Sequence, residues 1–320
     1  MTVSPAFSAA RFIKEIGRGK EGARSLSRAD AELLYTAMLR REVSDLELGA
    51  ILLSMRIKGE SIDEIAGFMA ASEASFEPLH APPGAAMPVL IPSYNGARKM
   101  PNLTPLLAML LRREEVPVLV HGVSHDPGRV TTAEIFTALG WPLAGSTQQA
   151  QEQLCGPLPV FLPIEILAPQ MAGLLDCRRI LGVRSSTHTL VKILQPFREP
   201  ALRLSSYTHP EYLEMLGEYF TTAAPRDRGD AFLMRGTEGE TVANARRAQQ
   251  IDWFHAGVRT TLVEKQGVVD NVPEMPPGRD ADSTARWIEA VLLGSLPVPP
   301  AIAAQVDRCA AVAKGRFSAA

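Results

Sequence analysis

The chain has 320 residues, of which 46% are hydrophobic and 21% are charged. These proportions are ordinary for a globular protein and exclude wholesale disorder and a collagen-like or coiled-coil rod. The 33 Lys and Arg residues nearly balance the 35 Asp and Glu residues, so the formal net charge is −2. This balance excludes a uniformly basic nucleic-acid binder but not a local basic surface.

The chain carries no sign of a membrane segment or of export. No apolar run approaches the roughly 20 residues that a membrane-spanning helix needs, and the first residues, MTVSP, lack the pattern of a signal peptide. Cys155, Cys177 and Cys309 are far apart and in no C-x-x-C spacing, so neither a disulfide framework nor a thiolate zinc site is expected. We therefore expect a cytoplasmic protein with no membrane partner.

Helix start signals recur three times between residues 26 and 76. In each, a serine precedes an acidic residue by three positions, a spacing in which the serine accepts a hydrogen bond from a free backbone N–H. Apolar residues follow at helical spacing, so residues 1–76 are predicted to form an all-helical N-terminal domain. The pairs are Ser27 with Asp30, Ser44 with Glu47, and Ser61 with Glu64.

The following segment, residues 77–88, contains four prolines, which favour extended backbone, and it is predicted to be a linker. From residue 89 to residue 320, short apolar runs alternate with helical segments, a pattern typical of α/β domains with a largely parallel sheet. The predicted fold is thus a small all-helical domain followed by a larger domain with a mostly parallel sheet flanked by helices. The predicted strands are residues 89–91, 118–120, 160–162, 202–204 and 232–234. The predicted helices are residues 106–111, 132–139, 171–175 and 212–220, followed by one helix around Trp287 and a last helix near residues 302–312.

Three loops follow predicted strands, where ligands bind in open parallel sheets. The first loop, residues 91–99 (IPSYNGARK), leads to a predicted helix with Thr104 as N-cap and Pro105 in the first helical position. A helix start preceded by Arg98 and Lys99 is a candidate anion site. The alternative is an ordinary turn with basic residues on the surface.

The second loop contains His121 and His125, which are four residues apart. Gly122 and the preceding predicted strand argue against a pair of metal ligands on a helix, so both histidines are predicted to be hydrogen-bonded loop residues. The third loop, residues 235–240, contains Glu238 and Glu240. Two carboxylates in such a loop are weak candidates for holding Mg²⁺ through water. The alternative is a pair of solvated turn residues.

Basic residues are concentrated near the N-terminus and again near residue 180. In a monomer such residues usually form a solvated face. Brought together across a two-fold axis, they would form a basic stripe that contacts phosphates without reading bases. The candidates for nucleic-acid binding are Lys14, Arg18, Lys20, Arg24, Arg178 and Arg179.

Several motifs together indicate a family. Residues 26–28 (LSR), 42–45 (EVSD) and 56–60 (RIKGE), with 120–122 (VHG) and 181–184 (LGVR), resemble anthranilate phosphoribosyltransferases of glycosyltransferase family 3 over nearly the whole chain. Residues 14–20 (KEIGRGK), 91–99, 202–206 (LRLSS) and 236–240 (GTEGE) resemble more closely the YbiB group of DNA-binding proteins within that superfamily. The resemblance implies a nucleoside phosphorylase/phosphoribosyltransferase fold and a homodimer formed through the helical domain.

The same resemblance implies a phosphate crevice, but the motifs that hold a diphosphate in the family are altered. The family's G-T-G-G-D becomes PSYNG at 92–96, its K-H-G-N-R becomes VHGVS at 120–124, and Arg129 replaces a lysine. The Asp-Glu pair that holds Mg²⁺ in the family is not present as such. The crevice candidates are Asn95, Gly96, Arg98, Lys99, Asn102, Thr104, His121, Gly122 and Arg129.

Two main functional hypotheses follow. The first is a degenerate phosphoribosyltransferase fold that binds DNA or RNA through the phosphate backbone as a homodimer, with no cofactor. The second is a glycosyl or phosphoribosyl transferase with an altered substrate, for which Mg²⁺ would be required and Arg179 or His188 would meet the acceptor. A third hypothesis is a module that binds a phosphorylated metabolite without turnover, which the sequence does not separate from the second.

Overall fold

The computed structural model describes residues 7–19, 21–247, 249–268 and 273–317. The chain divides into two compact units. The helical unit comprises Met1–Glu77 and Ala168–Leu194, and the α/β unit comprises Pro78–Leu167 and Gln195–Ala320.

The secondary structure is numbered in chain order. The strands are β1 Val89–Ser93, β2 Val118–Gly122, β3 Val160–Pro163, β4 Leu202–Tyr207, β5 Ala231–Arg235, β6 Ile251–His255 and β7 Val258–Val263. The helices are α1 Ala10–Ile16, α2 Arg28–Leu39, α3 Asp45–Lys58, α4 Ile62–Glu73, α5 Thr104–Arg113, α6 Thr132–Ala138, α7 Thr147–Gln153, α8 Ile164–Leu167, α9 Pro169–Leu181, α10 Thr187–Leu190, α11 Pro210–Glu218, α12 Ala281–Leu292 and α13 Pro300–Ala313. A π-helical turn, Tyr219–Ala223, follows α11, and a 3₁₀ turn, Arg226–Arg228, precedes β5.

The three predicted helix starts of the helical unit are confirmed. The side chain of Ser27 accepts a hydrogen bond from the backbone N–H of Asp30 at the start of α2. The starts of α3 and α4 are complete capping boxes, in which the glutamate also accepts a hydrogen bond from the backbone of its serine. Each helix therefore begins where a side chain satisfies an otherwise free N–H.

Residues 168–194 belong to the helical unit, although the sequence pattern predicted them to be part of the α/β domain. The Thr187 hydroxyl of α10 is 2.9 Å from the buried hydroxyl of Tyr35 on α2. The Tyr35 ring also packs on Phe68 of α4, with centroids 4.9 Å apart. The local sequence pattern predicts that α9 is a helix, but this pattern does not indicate which of the two units the helix belongs to.

The α/β unit contains one sheet with strand order β3-β2-β1-β4-β5-β6-β7. The strands from β3 to β5 are parallel, and β6 and β7 are antiparallel additions at one edge. β1, β2 and β3 are buried along their whole lengths, as parallel strands covered on both faces are. The predicted fold class and all five predicted strands are confirmed.

The β6–β7 hairpin was not predicted from the sequence. Its turn residues, Ala256 and Gly257, have φ angles of 49° and 84°. Two consecutive positive φ angles are typical of a type I′ turn, which usually carries Asn or Gly at the first position. Ala256 occupies that position here, so the sequence lacks the usual pattern of such a turn.

Among the helices of the described ranges, none combines the length and the apolar composition that a membrane-spanning helix needs.

Candidate functional site

Three loops of the α/β unit meet at the carboxyl-terminal edge of its sheet, following β1, β2 and β5. Most of the predicted crevice residues lie in the first two loops, and the two glutamates lie in the third. We refer to residues 236–240 as the acidic turn. The contacts between the acidic turn and the loop after β1 determine what the crevice is able to bind.

Glu240 is bonded to the backbone of the loop that follows β1. One carboxylate oxygen accepts hydrogen bonds from the N–H groups of Asn95 and Gly96, each at 2.7 Å. The other oxygen lies 3.5 Å from the Thr104 hydroxyl. Glu240 is only 2% exposed, so this is a buried carboxylate whose charge is stabilised by backbone donors.

Glu238 is bonded to the next part of the same loop. Its carboxylate accepts hydrogen bonds from the N–H groups of Arg98 at 2.7 Å, Lys99 at 2.9 Å and Met100 at 3.1 Å. Partial burial alone would raise the pKa of Glu238, but these three hydrogen bonds and the nearby Arg129 outweigh burial and lower the pKa below its ordinary value. The carboxylate therefore remains ionised at neutral pH.

These five N–H groups, of Asn95, Gly96, Arg98, Lys99 and Met100, form what we call the amide nest. Converging backbone N–H groups form the usual cradle for a phosphate or another anion. Here the anions are the protein's own carboxylates. The loop after β1 thus has the form of an anion site, and the acidic turn fills it.

The backbone of both loops is shaped for this contact. Gly239 has a φ angle of 96°, and an added Cβ would lie 2.6 Å from the Asn95 side chain. Its carbonyl accepts hydrogen bonds from the Asn95 amide at 2.8 Å and from the Ser206 hydroxyl at 3.0 Å. Arg129 donates to the Asn95 carbonyl at 3.1 Å. The acidic turn is therefore held in place by side chains as well as by its carboxylates.

The two glutamates do not fit a magnesium site. Their oxygens accept hydrogen bonds from backbone N–H groups, whereas hard cations require several free oxygen ligands. Among the described residues, no group of three or more His, Cys, Asp or Glu side chains is placed to hold a metal ion. We derive no metal-dependent chemistry from this site.

Asn102 organises the start of α5. Its amide donates to the Thr132 hydroxyl at 2.8 Å, and its carbonyl oxygen accepts from the backbone N–H of Thr104 at 3.0 Å. The Thr132 hydroxyl also shares a 2.7 Å hydrogen bond with Ser93. The sequence predicts Thr104 as the N-cap, but it is the first helical residue, because Asn102 supplies the oxygen that satisfies the first free N–H.

His121 is paired with Tyr94, a partner that the sequence did not predict. The Tyr94 hydroxyl is 2.7 Å from Nδ1 of His121, while the buried Nε2 has no hydrogen-bond partner among the described residues. Burial lowers the pKa of His121 to about 3, so the ring is neutral. Gly122 follows it, and a Cβ there would lie 1.9 Å from the Ser93 carbonyl oxygen, so this position requires glycine.

The described candidates for nucleic-acid binding all lie in the helical unit. Lys14, Arg18 and Arg24 are exposed, and Arg18 forms a 2.7 Å ion pair with Glu15. Lys20 lies outside the described residues. Arg178 and Arg179 are exposed on the last turn of α9.

A local positive field surrounds His188, which follows these arginines. Burial is the largest cause lowering its pKa to about 4, and Arg184, Arg178 and Lys192 lower it further. The cations at and after the end of α9 thus add to the effect of burial in disfavouring protonation of His188.

Comparisons with known proteins agree with this architecture. Residues 10–75 match the model of the glycosyl transferase family, helical bundle domain. The protein YbiB of Escherichia coli K12 is 46% identical over 300 residues, which are 93% of this chain and 92% of YbiB. The anthranilate phosphoribosyltransferase of Synechococcus sp. JA-3-3Ab is 27% identical over 289 residues, which are 88% of this chain and 77% of that enzyme.

Solved structures with the same fold include two anthranilate phosphoribosyltransferases. The enzyme from Thermus thermophilus superimposes with a TM-score of 0.73 at 21% identity, over 95% of this chain and 89% of that one. The Saccharomyces cerevisiae enzyme in complex with PRPP and Mg gives a TM-score of 0.70 at 13% identity, over 97% of this chain and 89% of that one. At these identities the likeness establishes a shared fold.

Proposed function

The chain belongs to the family of the Escherichia coli protein YbiB, and from that premise we propose that it binds nucleic acid through the phosphate backbone, without sequence preference and without phosphoribosyl transfer. The observation that carries this proposal is the acidic turn in the amide nest. Because the chain's own carboxylates occupy this crevice, the positive charge that is available to an external polyanion lies in another part of the chain.

The filled nest opposes binding of a sugar diphosphate. To enter, a diphosphate would displace two carboxylates that accept five backbone hydrogen bonds. Hydrogen bonds to charged groups contribute about 1.5–3 kcal/mol each. The displaced carboxylates of Glu238 and Glu240 would then lie beside an incoming ligand of the same charge. Productive binding of phosphoribosyl diphosphate is accordingly disfavoured, because the ligand must displace these carboxylates before it reaches the same donors.

Two segments of the helical unit carry an excess of positive charge. Residues 11–28 contain six Lys and Arg residues and two glutamates, and residues 178–192 contain four Lys and Arg residues and no Asp or Glu. We call these two segments the basic surface. Burial is the largest cause of the lowered pKa of His188, and three cations of the second segment, Arg184, Arg178 and Lys192, lower it further. Such charge contacts phosphates but carries no base information, so binding would be independent of sequence.

The proposal includes a homodimer formed through the helical unit. Leu46, Leu53 and Ile57 lie on one face of α3, and Leu46 and Ile57 are 85% and 63% exposed. An apolar helix face of this kind is a candidate interface between two copies. Association of two copies would double the number of basic segments available to one nucleic acid.

Fluorescence anisotropy with unrelated DNA duplexes at several salt concentrations tests the proposal. Affinity should be similar for all sequences and should fall about 10³-fold or more between about 50 and 200 mM salt, because released counterions drive such binding. A double variant, Arg178→Gln with Arg179→Gln, should bind more weakly and reduce the salt slope by about one for each phosphate that it no longer neutralises. The matched control is Arg286→Gln on α12, an exposed arginine outside the basic surface. A flat salt response, or no binding at low salt, would contradict nucleic-acid binding.

The competing function is phosphoribosyl transfer, which is favoured by the similarity to proteins named anthranilate phosphoribosyltransferase. Calorimetry with phosphoribosyl diphosphate and Mg²⁺ separates the two. We expect no heat of binding in the micromolar range. Magnesium-dependent micromolar binding would instead favour the transferase, and only then would Mg²⁺ be a cofactor of this protein.

A further inference from the structure

A buried arginine lies near the amino-terminal end of β4, at the edge of the sheet opposite the amide nest. Arg203 is 3% exposed, and its neighbours across the sheet are Leu90 of β1 and Ala231 of β5. Its guanidinium lies 5.3 Å from the centroid of the Phe220 ring, and its buried Nε has no hydrogen-bond partner among the described residues. An arginine does not lose its proton under protein conditions, so the chain carries a buried positive charge here.

The buried carboxylates of the adjoining strands are engaged by other groups. Asp230 accepts one hydrogen bond from the indole N–H of Trp253 at 2.7 Å and is 2.9 Å from Nδ1 of His255. Asp252 is bonded to Arg259 at 2.7 Å and to Thr261 at 2.8 Å. Within the ranges that the structure describes, Arg203 has no ion pair with a carboxylate. Because an isolated buried charge is very costly, its compensation is expected to come from outside the chain.

Arg203 faces a small pocket that has the composition of an anion site. Arg226, Phe220, Phe254 and the Ala256–Gly257 turn also line it, and its lining contains no acidic residue. A Cβ at Gly257 would lie 3.5 Å from the guanidinium of Arg226 and 2.8 Å from the Thr221 carbonyl oxygen, so glycine permits this close approach. Phe220 belongs to the π-helical turn, a rare element that is frequent at functional sites.

We propose that this pocket binds one compact inorganic anion of chloride size as the counter-ion of Arg203. The space in which the centre of a water-sized sphere can move is small, about 10 Å³, so the counter-ion that we propose is monatomic. The two guanidinium groups supply the charge, and the rings of Phe220 and Phe254 form an apolar part of the lining. The residues of this pocket belong neither to the amide nest nor to the basic surface.

Thermal unfolding at constant ionic strength tests the site. When sodium gluconate is exchanged for sodium chloride, the wild-type midpoint should rise by about 2–3 °C and then saturate, because a ligand that binds only the native state stabilises it. Arg203→Met should show no difference between the two salts, and the matched control Arg286→Gln should respond as the wild type does. Equal wild-type midpoints in both salts, or the same chloride response in Arg203→Met, would overturn the proposal.

A second measurement on the wild type covers the case in which Arg203→Met does not fold. Crystals grown in sodium bromide should show an anomalous peak within hydrogen-bond distance of Arg203 Nε. Crystals in which the pocket contains only a water, with no anomalous signal, would overturn the assignment. Neither experiment depends on nucleic-acid binding, so its failure would leave the proposed function untouched.

Discussion

Glu240 lies with one carboxylate oxygen 2.7 Å from the backbone nitrogen of Asn95, although 145 residues separate them in the chain. This contact joins the loop after β5 to the loop after β1 at the edge of the sheet where the fold places its ligands. The same oxygen accepts a second N–H, that of Gly96. An anion supplied by the chain itself therefore takes the place of an anion supplied by a ligand.

Removal of the buried carboxylate should destabilise the protein. Glu240→Ala leaves two buried N–H groups without an acceptor, and each such group costs about 1–3 kcal/mol. We expect a loss of about 2–4 kcal/mol in the free energy of unfolding, measured by urea denaturation. Glu238→Ala should cost less, about 1 kcal/mol, because its donors are partly exposed and water replaces the carboxylate. The control Glu289→Ala, on the exposed face of α12, should change stability by less than about 0.5 kcal/mol. Equal losses for Glu240→Ala and the control would contradict the buried contact.

The acid dependence of stability should depend on Glu238. Its pKa is lower in the folded protein than the ordinary value of 4.5, so its ionised form contributes stability that is present above that value. This stability is lost as the pH falls through the folded-state pKa. The difference in unfolding free energy between wild type and Glu238→Gln should therefore be largest at neutral pH and should shrink in acid. A difference that stays constant with pH would show that the carboxylate charge contributes nothing.

The hydrogen bond between Tyr94 and His121 should stabilise the folded protein. Tyr94→Phe leaves the buried imidazole without its Nδ1 partner and should lower the free energy of unfolding by about 1–3 kcal/mol. Tyr207→Phe removes a hydroxyl from a partly exposed ring at the end of β4 and should cost less than about 0.5 kcal/mol. Urea denaturation of both variants distinguishes them. Equal stability of Tyr94→Phe and wild type would show that the hydroxyl does not hold the ring.

His188 should report on the basic surface. Its pKa, about 4, is lowered by burial and further by neighbouring cations that include Arg178. Arg178→Gln should raise it, and a bound nucleic acid should raise it as well, because phosphates cancel the positive field. Histidine ring NMR shifts, recorded as a function of pH, measure both effects. His121 serves as the control, because burial alone lowers its pKa. An unchanged His188 titration in Arg178→Gln would contradict the local positive field.

Local patterns were sufficient to predict most of the fold. The strands β1, β2, β3 and β5 contain short buried apolar runs, and in β4 two buried leucines flank Arg203. Serine–acidic pairs mark the starts of α2, α3 and α4, so each element could be predicted from a few neighbouring residues. The hairpin of β6 and β7 was not, because β7 is mostly exposed and polar and its turn carries Ala256 in place of a typical turn residue.

The candidate site was only half predictable. The sequence predicted the positions of the loop after β1 and of the acidic turn, and it identified Glu238 and Glu240 as candidates. It predicted, however, that these glutamates would contact Mg²⁺ or solvent. Their actual partners are backbone N–H groups 138 to 145 residues away. A contact between a side chain and a distant backbone leaves no local pattern, so only the three-dimensional structure reveals it. The pairing of Tyr94 with His121 escaped prediction for the same reason.

Hydrogen–deuterium exchange of the wild-type protein, with and without a short DNA duplex, measures most directly whether polyanions bind outside the crevice. We expect new protection in residues 11–28 and 178–192 and unchanged exchange in residues 93–104 and 236–240. Protection confined to residues 93–104, or release of the acidic turn on addition of DNA, would show instead that the amide nest is the binding site.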